Sequence, residues 1–277
     1  EKTNDLTQNY ALGYRRADGY RDHTEVEKIA LSGRWQYDFE KSSLALSTKY
    51  GKYNAFEAPG YLTKQQARDN PRSSADYANE DGGEKEFKHI SLHYDYFMNN
   101  DVDFSFKAYS QGFERERNVR FSASQALLEN RFDDQNMQGF IAKMHWRLDP
   151  NWTLQTGYDI EKQEVTEQRY RGTVTRRDFK FNFDTQGLFA QIENTPTSWL
   201  RWNAALRADR LDGDADRAFI VNGASTNRRM FDFGTIVQPK LNVFANVTDT
   251  QTVFANYGRS FQHPFGGDMF TTGNTNA

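Results

Sequence analysis

Apolar and polar residues alternate along several long stretches of the chain. In the stretch 29–39 the odd positions are mostly apolar, from Ile29 to Phe39, whereas the even positions from Ser32 to Asp38 are polar. The same period of two recurs at 90–96, 102–108 and 200–207. Because successive side chains of a β-strand point to opposite faces of the sheet, this pattern predicts strands with one apolar and one polar face.

Reading the alternation along the whole chain predicts an all-β protein with about eleven antiparallel strands. Many of these strands are longer than the roughly 5–6 residues typical of globular sheets. A strand that crosses a membrane at a tilt needs about 9–11 residues, so their lengths are sufficient for a bilayer. The predicted strands are 7–17, 25–39, 43–54, 85–98, 102–114, 132–148, 152–161, 179–193, 198–210, 230–247 and 251–262.

The connections between these strands alternate in length. Short turns are predicted at 40–42, 99–101, 149–151, 194–197 and 248–250, and long polar connections near 55–84, 114–131, 162–178 and 211–229. Short turns at one end and long loops at the other are typical of outer-membrane β-barrels. Because an open sheet edge cannot be satisfied in lipid and bacterial barrels close with even strand numbers, we expect these strands to be about half of a larger transmembrane barrel.

The composition excludes several other classes of protein. The chain has 35 basic and 38 acidic residues, a net charge of −3, which is not typical of a nucleic-acid binder. It has no Cys, so disulfides and thiolate metal sites are excluded. Hydrophobic residues are only 37% of the chain but aromatic residues reach 15%, a combination that disfavours disorder. No apolar run approaches the roughly 18 residues of a membrane helix.

Several short motifs resemble one family of membrane proteins. They are the string VQPKLNV at 237–243, Thr248-Asp249, and VFANYGRSF at 253–261, together with DGYR at 18–21. In this combination the chain resembles the TonB-dependent outer-membrane receptors. The segments APGYL at 58–62 and DNPR at 69–72 are similar to the ferric-citrate and siderophore branch of that family.

The resemblance implies a fold, a location and a function. Such receptors have a 22-stranded barrel with a plugged lumen in the bacterial outer membrane. Residues 1–277 are then expected to be one domain, the N-terminal half of the barrel, and the plug domain that contacts TonB is expected to lie outside this chain. The implied function is uptake of a ferric siderophore energised through TonB, without catalysis. No cofactor is expected, because iron is carried only within the chelated ligand, and the lipid partners are outer-membrane lipid and lipopolysaccharide.

The long connections are rich in arginine, which makes them candidate ligand contacts. Guanidinium groups recognise carboxylate-type oxygens bidentately, and aromatic rings pack on organic scaffolds. The alternative is that these arginines pair with lipopolysaccharide phosphates or with acidic residues of the same loops. The candidates are Arg115, Arg117, Arg120, Tyr170, Arg171, Arg176, Arg177, Arg217, Arg228 and Arg229.

The sequence offers no catalytic or metal site. His89 and His93 are four residues apart, so on a strand they lie about 13 Å from each other and cannot share one ion. Asp212, Asp214 and Asp216 begin like a calcium loop but lack its distal Glu, and a solvated loop is expected there. Neither a G-x-S-x-G nucleophile motif nor a phosphate-binding glycine loop is present.

The sequence leaves three alternatives open. The first keeps the fold but changes the ligand to cobalamin, a copper or nickel chelate, or an oligosaccharide; the arginine clusters disfavour the sugar. The second is a passive porin-like barrel, against which the motifs at 237–261 argue. The third is a soluble carbohydrate-binding β-sandwich, which would not explain why short turns and long loops lie at opposite ends.

Overall fold

A computed structural model of the protein describes residues 2–3, 5–219 and 224–261, with side chains described for 5–216 and 229–261. Most of these residues belong to one antiparallel sheet in which each long strand pairs with the next along the chain. Strand β11 pairs only with β10, and β12 then takes the next place in the sheet. The strands are β1 (Lys2–Thr3), β2 (Leu6–Ala17), β3 (Val26–Asp38), β4 (Ser42–Glu57), β5 (Gly82–Phe97), β6 (Val102–Val119), β7 (Glu129–Asp149), β8 (Trp152–Arg171), β9 (Val174–Thr197), β10 (Leu200–Phe219), β11 (Ala224–Arg229), β12 (Thr235–Thr248) and β13 (Gln251–Gly258).

The strand register gathers the apolar residues on one face of the sheet. One line of direct cross-strand neighbours runs from Trp35 through Leu46 and Leu92 to Phe140 and Ile160. No other part of the described chain covers these side chains, and Leu92 is 46% exposed. We call this side the apolar face, and such a wide exposed apolar surface indicates contact with lipid rather than with water.

The opposite side, the polar face, is held together by hydrogen bonds between side chains of neighbouring strands. Arg207 of β10 donates to both carboxylate oxygens of Asp159 on β8, at 2.7 and 2.9 Å. It also donates to Asp209, whose second oxygen accepts a 2.6 Å hydrogen bond from Gln238 on β12. This network connects strands β8, β10 and β12 across the polar face, and it satisfies charges that would otherwise be costly to bury.

Aromatic residues cluster near the short turns. The Trp152 and Trp202 rings meet edge to face with centroids 5.5 Å apart, and Tyr37 and Phe39 lie 4.7 Å apart. A belt of such residues at one end of the strands is typical of a membrane–water interface.

The short turns occur where the sequence predicts them, with one exception. The predicted turn at 194–197 is wrong, because β9 continues to Thr197 and the chain reverses at 198–199. A register irregularity between Leu200 and Trp202 accompanies this stretch. This irregular pairing accommodates Pro196, which lacks the N–H group that a regular pair of strands would hydrogen-bond.

Three of the four predicted long connections are wrong. The first is present, as residues 58–81 between β4 and β5. It contains helix α1 (Lys64–Asp69) and a 3-10 turn at Asp76–Ala78. In place of the connection predicted at 114–131 the structure has a shorter one at 120–128. In place of the one predicted at 162–178 it has a two-residue turn of Gly172 and Thr173. The one at 211–229 is largely a β10–β11 hairpin. In the stretch 162–178 the residues on both faces are mostly polar, so the alternation disappears although backbone pairing continues. The apolar residues of the neighbouring part of β9, Phe179 and Phe181, form a small buried cluster with Val165.

The assignment of the apolar and polar faces can be tested by placing a charge on each. Because Leu92 lies within the apolar face and His93 points to the polar face, we expect Leu92→Arg to lower the unfolding free energy of the full-length protein in lipid vesicles by about 2–4 kcal/mol. The neighbouring His93→Arg should change it by less than about 1 kcal/mol. Urea unfolding of both variants measures the difference, and equal effects would contradict the assignment of the faces.

Candidate functional site

Strands β6 to β9 extend beyond the apolar band at the end opposite the short turns, and there they bring four arginines together. Arg117 of β6 is the direct neighbour of Arg131 on β7, which neighbours Arg169 on β8, which in turn neighbours Arg177 on β9. All four lie on the polar face. We call these four residues the arginine row.

Carboxylates two positions away along the strands compensate part of this charge. Glu129 is buried and accepts hydrogen bonds from Arg131 and from Arg171, at 2.8 and 2.7 Å. Glu167 pairs with Arg177 at 2.9 Å. One rung below the row, Asp133 accepts a 2.8 Å hydrogen bond from Arg115.

The compensation is incomplete at two positions. Within the part of the chain that the structure describes, neither Arg117 nor Arg169 has a carboxylate oxygen within 4.0 Å. In addition, the buried Nε of Arg171 has no hydrogen-bond partner there. Burial, together with the charges of Arg177 and Arg131, lowers the pKa of Arg169. Like charges directly opposite each other destabilise a sheet, so an oxyanion bound at the row would relieve this repulsion.

The one long connection, residues 58–81, is tied to the strands beside it rather than left free. Helix α1 begins with a capping box in which Thr63 and Gln66 satisfy each other's backbone N–H groups. The Arg21 guanidinium donates to the carbonyl oxygens of Ser73, Gly60 and Pro59 at 3.0–3.1 Å. We call residues 58–81 the clamped loop.

The far end of the clamped loop reaches the strand that carries Arg117. The Asp81 carboxylate accepts the Arg120 backbone N–H at 2.8 Å, and the Arg120 guanidinium donates to the carbonyl of Tyr77 and pairs with Glu80. Burial raises the pKa of Asp81, although the Arg120 N–H and the nearby charges oppose the shift. Arg120 therefore holds the loop in place and is not free to meet a ligand.

Comparison with known proteins identifies the architecture. The family model of the TonB dependent receptor-like β-barrel matches residues 4–277. The chain belongs to this family. No curated protein matches the chain by sequence.

Three solved structures illustrate the shared fold. The ferric citrate transporter FecA in its unliganded form is 15% identical, with a TM-score of 0.78 over 92% of this chain. The siderophore receptor PiuA from Acinetobacter baumannii is 10% identical, with a TM-score of 0.75 over 92% of this chain and 45% of PiuA. The ferric-catecholate import receptor Fiu from E. coli K12, in its open form, is 11% identical, with a TM-score of 0.71 over 95% of this chain and 51% of Fiu. The chain spans only 39% of the length of FecA.

Membership of the family settles several points that the sequence left open. TonB-dependent receptor barrels are bacterial outer-membrane proteins and are not enzymes, so the soluble sandwich is wrong. The apolar face is then the lipid-facing wall of the barrel and the polar face lines its interior. The arginine row, at the end opposite the short turns, lies on the interior wall towards the outside of the cell.

The structure divides the ten predicted site residues into groups. Tyr170 is on the other face, where its ring meets that of Phe132 edge to face at 6.2 Å. Arg176 and Arg229 are exposed at strand ends, away from the row. The side chains of Arg217 and Arg228 lie outside the described residues. The residues that do belong to the row and its surroundings are Arg115, Arg117, Arg171 and Arg177, all of them on strands rather than on loops.

The sequence prediction missed Arg131, Arg169 and the three carboxylates that organise the cluster. Arg131 occupies the last position of a predicted loop and Arg169 the middle of another, so the prediction did not make them cross-strand neighbours. A signal was available in the sequence. The segments before and after Gly172 are equally polar, as the two strands of a hairpin would be, and the positive φ of 58° at the turn suits glycine.

Among the described residues, no group of three His, Asp or Glu side chains could hold a metal ion, and no helix is long and apolar enough to span a bilayer. His89 and His93 both lie on β5, and His93 contacts Ser105 at 2.9 Å. The predicted loop at Asp212 to Asp216 is wrong, because these residues are part of β10.

The position of Glu129 leads to a prediction about pH. Burial would raise its pKa, but hydrogen bonds from Arg171 and Arg131 outweigh it, and the pKa falls below the usual 4.5. A carboxylate whose pKa is lowered by folding stabilises the fold above its unfolded pKa, and this contribution is lost as the pH falls through the folded pKa. We expect Glu129→Gln to cost about 2 kcal/mol at pH 7, and the difference from wild type to begin to shrink below pH 4.5 and to vanish once the pH is below the folded pKa.

Urea unfolding at several pH values checks this expectation. The control is Glu164→Gln, an exposed residue of β8 without an ion pair among the described residues. A cost for Glu129→Gln that is the same at all pH values would contradict the role of its charge.

The Arg21 contacts predict the behaviour of the clamped loop. Removing three hydrogen bonds in Arg21→Ala should increase the rate of trypsin cleavage after Arg68 or Arg72 about tenfold or more, because local opening becomes cheaper while the barrel stays folded. The matched control is Arg16→Ala, which removes only an exposed ion pair with Glu25. Equal cleavage rates in the two variants would show that Arg21 does not hold the loop.

Proposed function

We propose that residues 1–277 form the N-terminal half of a 22-stranded barrel whose full-length protein imports a ferric siderophore across the outer membrane. The family supports TonB-dependent transport as the general activity, and FecA, PiuA and Fiu are named as receptors or transporters of ferric ligands. At identities of 10–15% these neighbours support the fold and not the ligand.

The observation that carries the proposal is the arginine row. It presents Arg117 and Arg169 without carboxylate partners in the described part of the chain, on the interior wall and towards the outside of the cell. Carboxylate, catecholate and hydroxamate oxygens around iron offer the acceptors that a guanidinium binds in a bidentate manner. A ligand bound there would exchange the repulsion between arginines for charge-assisted hydrogen bonds.

Transport would follow from binding without any covalent step. The clamped loop and the ends of β6 to β9 would receive the chelate, and the plug domain, through its contact with TonB, would open a path inwards. Iron is cargo in this scheme and the chain needs no cofactor. The apolar face would contact outer-membrane lipid, with lipopolysaccharide around the extracellular half.

Binding and uptake by the full-length receptor test the proposal. We expect at least one of two anionic ferric chelates, ferric citrate or the ferric complex of 2,3-dihydroxybenzoate, to bind more tightly than cyanocobalamin, and its uptake by iron-starved cells to require TonB. The double variant Arg117→Gln/Arg169→Gln should weaken that binding about a hundredfold or more, because each of the two charged hydrogen bonds that it removes contributes about 1.5–3 kcal/mol.

The control is Arg147→Gln, an exposed arginine at the short-turn end of β7. It should bind and transport as wild type does. A preference for cyanocobalamin, or binding of neither ferric chelate, would overturn the ferric ligand. Tight ferric binding that the double variant leaves unchanged would overturn the role of the arginine row.

A further inference from the structure

The two ends of the clamped loop meet beside a histidine. His23 lies in the connection between β2 and β3, next to the place where the loop leaves β4 and returns to β5. There the Ala58 backbone N–H donates to the Asp81 carbonyl oxygen at 3.1 Å. Glu57, the last residue of β4, donates its N–H to the Glu25 carbonyl at 2.9 Å. We call Glu57, Ala58 and Asp81 the neck of the clamped loop, because the base of the loop opens only if they separate.

The backbone of His23 is held in an unfavourable conformation. Its φ of 59° is in the left-handed region, and among the described residues it is the one residue other than glycine with a positive φ. Histidine is more frequent in this region than most residues, but the conformation still costs free energy. A side chain stays there only where its surroundings hold it. The contacts of the His23 ring therefore have to support this backbone.

Both ring nitrogens of His23 face oxygens that can only accept a hydrogen bond. Nε2 lies 2.6 Å from the Asp81 carbonyl oxygen, and Nδ1 lies 3.4 Å from Oε1 of Glu57. A neutral imidazole has one N–H and one lone pair, so in that form one nitrogen would direct its lone pair at an oxygen. The doubly protonated imidazolium satisfies both contacts. The geometry of the neck therefore fits the charged ring.

The Glu57 carboxylate is fixed in the position in which it faces the ring. Its other oxygen, Oε2, accepts the Glu25 backbone N–H at 2.8 Å. The His23 side chain is 19% exposed and the Glu57 side chain 36%, so the pair is partly shielded from water. Loss of the Nδ1 proton would leave a lone pair opposite a carboxylate that cannot turn away without giving up its hydrogen bond to Glu25.

Other charged groups meet at the neck, and several of them are engaged. Arg21 donates to three carbonyl oxygens of the loop. Arg120 pairs with Glu80, and Glu25 pairs with Arg16. The charged groups on the elements that meet here are Arg21, Asp22 and Glu25 of the β2–β3 connection, Glu57 of β4, Glu80 and Asp81 of the clamped loop, and Arg117 and Arg120 in and after β6.

Asp81 is a second group of the neck that titrates. Burial raises the pKa of its carboxyl group, although the Arg120 N–H and the charges of Arg120, His23 and Arg117 oppose the shift. A carboxyl group whose pKa is raised by folding stabilises the closed neck at low pH, and this contribution is lost as the pH rises. Its effect has the same sign as the one expected of His23, so a variant of His23 is needed to separate the two.

We propose that His23 is a pH-sensitive latch on the clamped loop. The charged ring joins the Asp81 carbonyl to the Glu57 carboxylate and closes the neck. When Nδ1 loses its proton, the contact with Glu57 becomes repulsive and the left-handed backbone loses part of its support, so the neck opens more often. The clamped loop lies at the end of the barrel that faces the outside of the cell, so the latch responds to the pH of the medium.

Amide hydrogen exchange of the full-length protein in detergent micelles, at about pH 6 and about pH 8.5, tests the proposal. The reporters are the Ala58 amide, which donates to Asp81, and the Ala75 amide, which donates to the Pro59 carbonyl at 2.8 Å. Comparing wild type with His23→Gln at one pH removes the intrinsic pH dependence of exchange. We expect His23→Gln to exchange about threefold faster or more at the lower pH, and less than about twofold faster at the higher pH, because glutamine stays neutral.

A second variant examines the partner of the ring. Glu57→Gln keeps a side-chain oxygen for the Glu25 N–H but removes the negative charge that faces Nδ1. It should exchange about threefold faster than wild type at about pH 6 and no faster at about pH 8.5. The matched control is His145→Gln, which removes an imidazole–carboxylate pair with Asp103 near the short turns. The control should leave exchange at Ala58 and Ala75 unchanged at both pH values.

Each outcome decides for or against the latch. The same ratio of His23→Gln to wild type at both pH values would overturn it and would leave Asp81 as the group behind any remaining pH response. A pH response of Glu57→Gln equal to that of wild type would overturn the role of the pair. The latch does not depend on the ferric ligand: a receptor that binds no ferric chelate but shows the expected exchange would overturn only the proposed function. Ferric binding with a neck insensitive to His23→Gln would overturn only the latch.

Discussion

The cross-strand hydrogen-bond register is the constraint on which the rest of this molecule depends. In lipid every backbone N–H and C=O must find a partner in the neighbouring strand, so the strands pair along their whole length. A shift by one residue would turn Trp35, Leu46 and Leu92 to the interior and the polar residues to the lipid. The register that places these residues on the lipid face therefore also places Arg207 beside Asp159, and Arg117 beside Arg131.

The same constraint explains why charged residues accumulate where a soluble sheet would not hold them. Beyond the apolar band β6 to β9 remain paired, and apart from a small buried cluster that includes Val165, Phe179 and Phe181 their side chains are mostly polar. Arginines and carboxylates there satisfy one another along the polar face, as Glu129 does for Arg131 and Arg171. Within the described residues Arg117 and Arg169 keep a positive charge without a carboxylate beside it, and the proposed binding of a ferric ligand depends on this charge.

The arginine row is made of long polar side chains that project from the interior wall, and it suits oxyanions. The clamped loop is tied by Asp81 and Arg120 to the end of β6, the strand that contributes Arg117 to the row.

The sequence by itself determined the all-β class, the eleven long strands, the two faces and the short turns, because each depends on local alternation and turn residues. It also gathered arginines at the end opposite the short turns, but it placed them in loops rather than on strands. Only the tertiary structure decided that 162–178 is a hairpin, that Tyr170 points to the opposite face, that Arg120 is held by the clamped loop, and that Arg131 and Arg169 join the row. Those facts depend on which residues of different strands lie opposite each other, and where both faces are polar no local pattern reports the register.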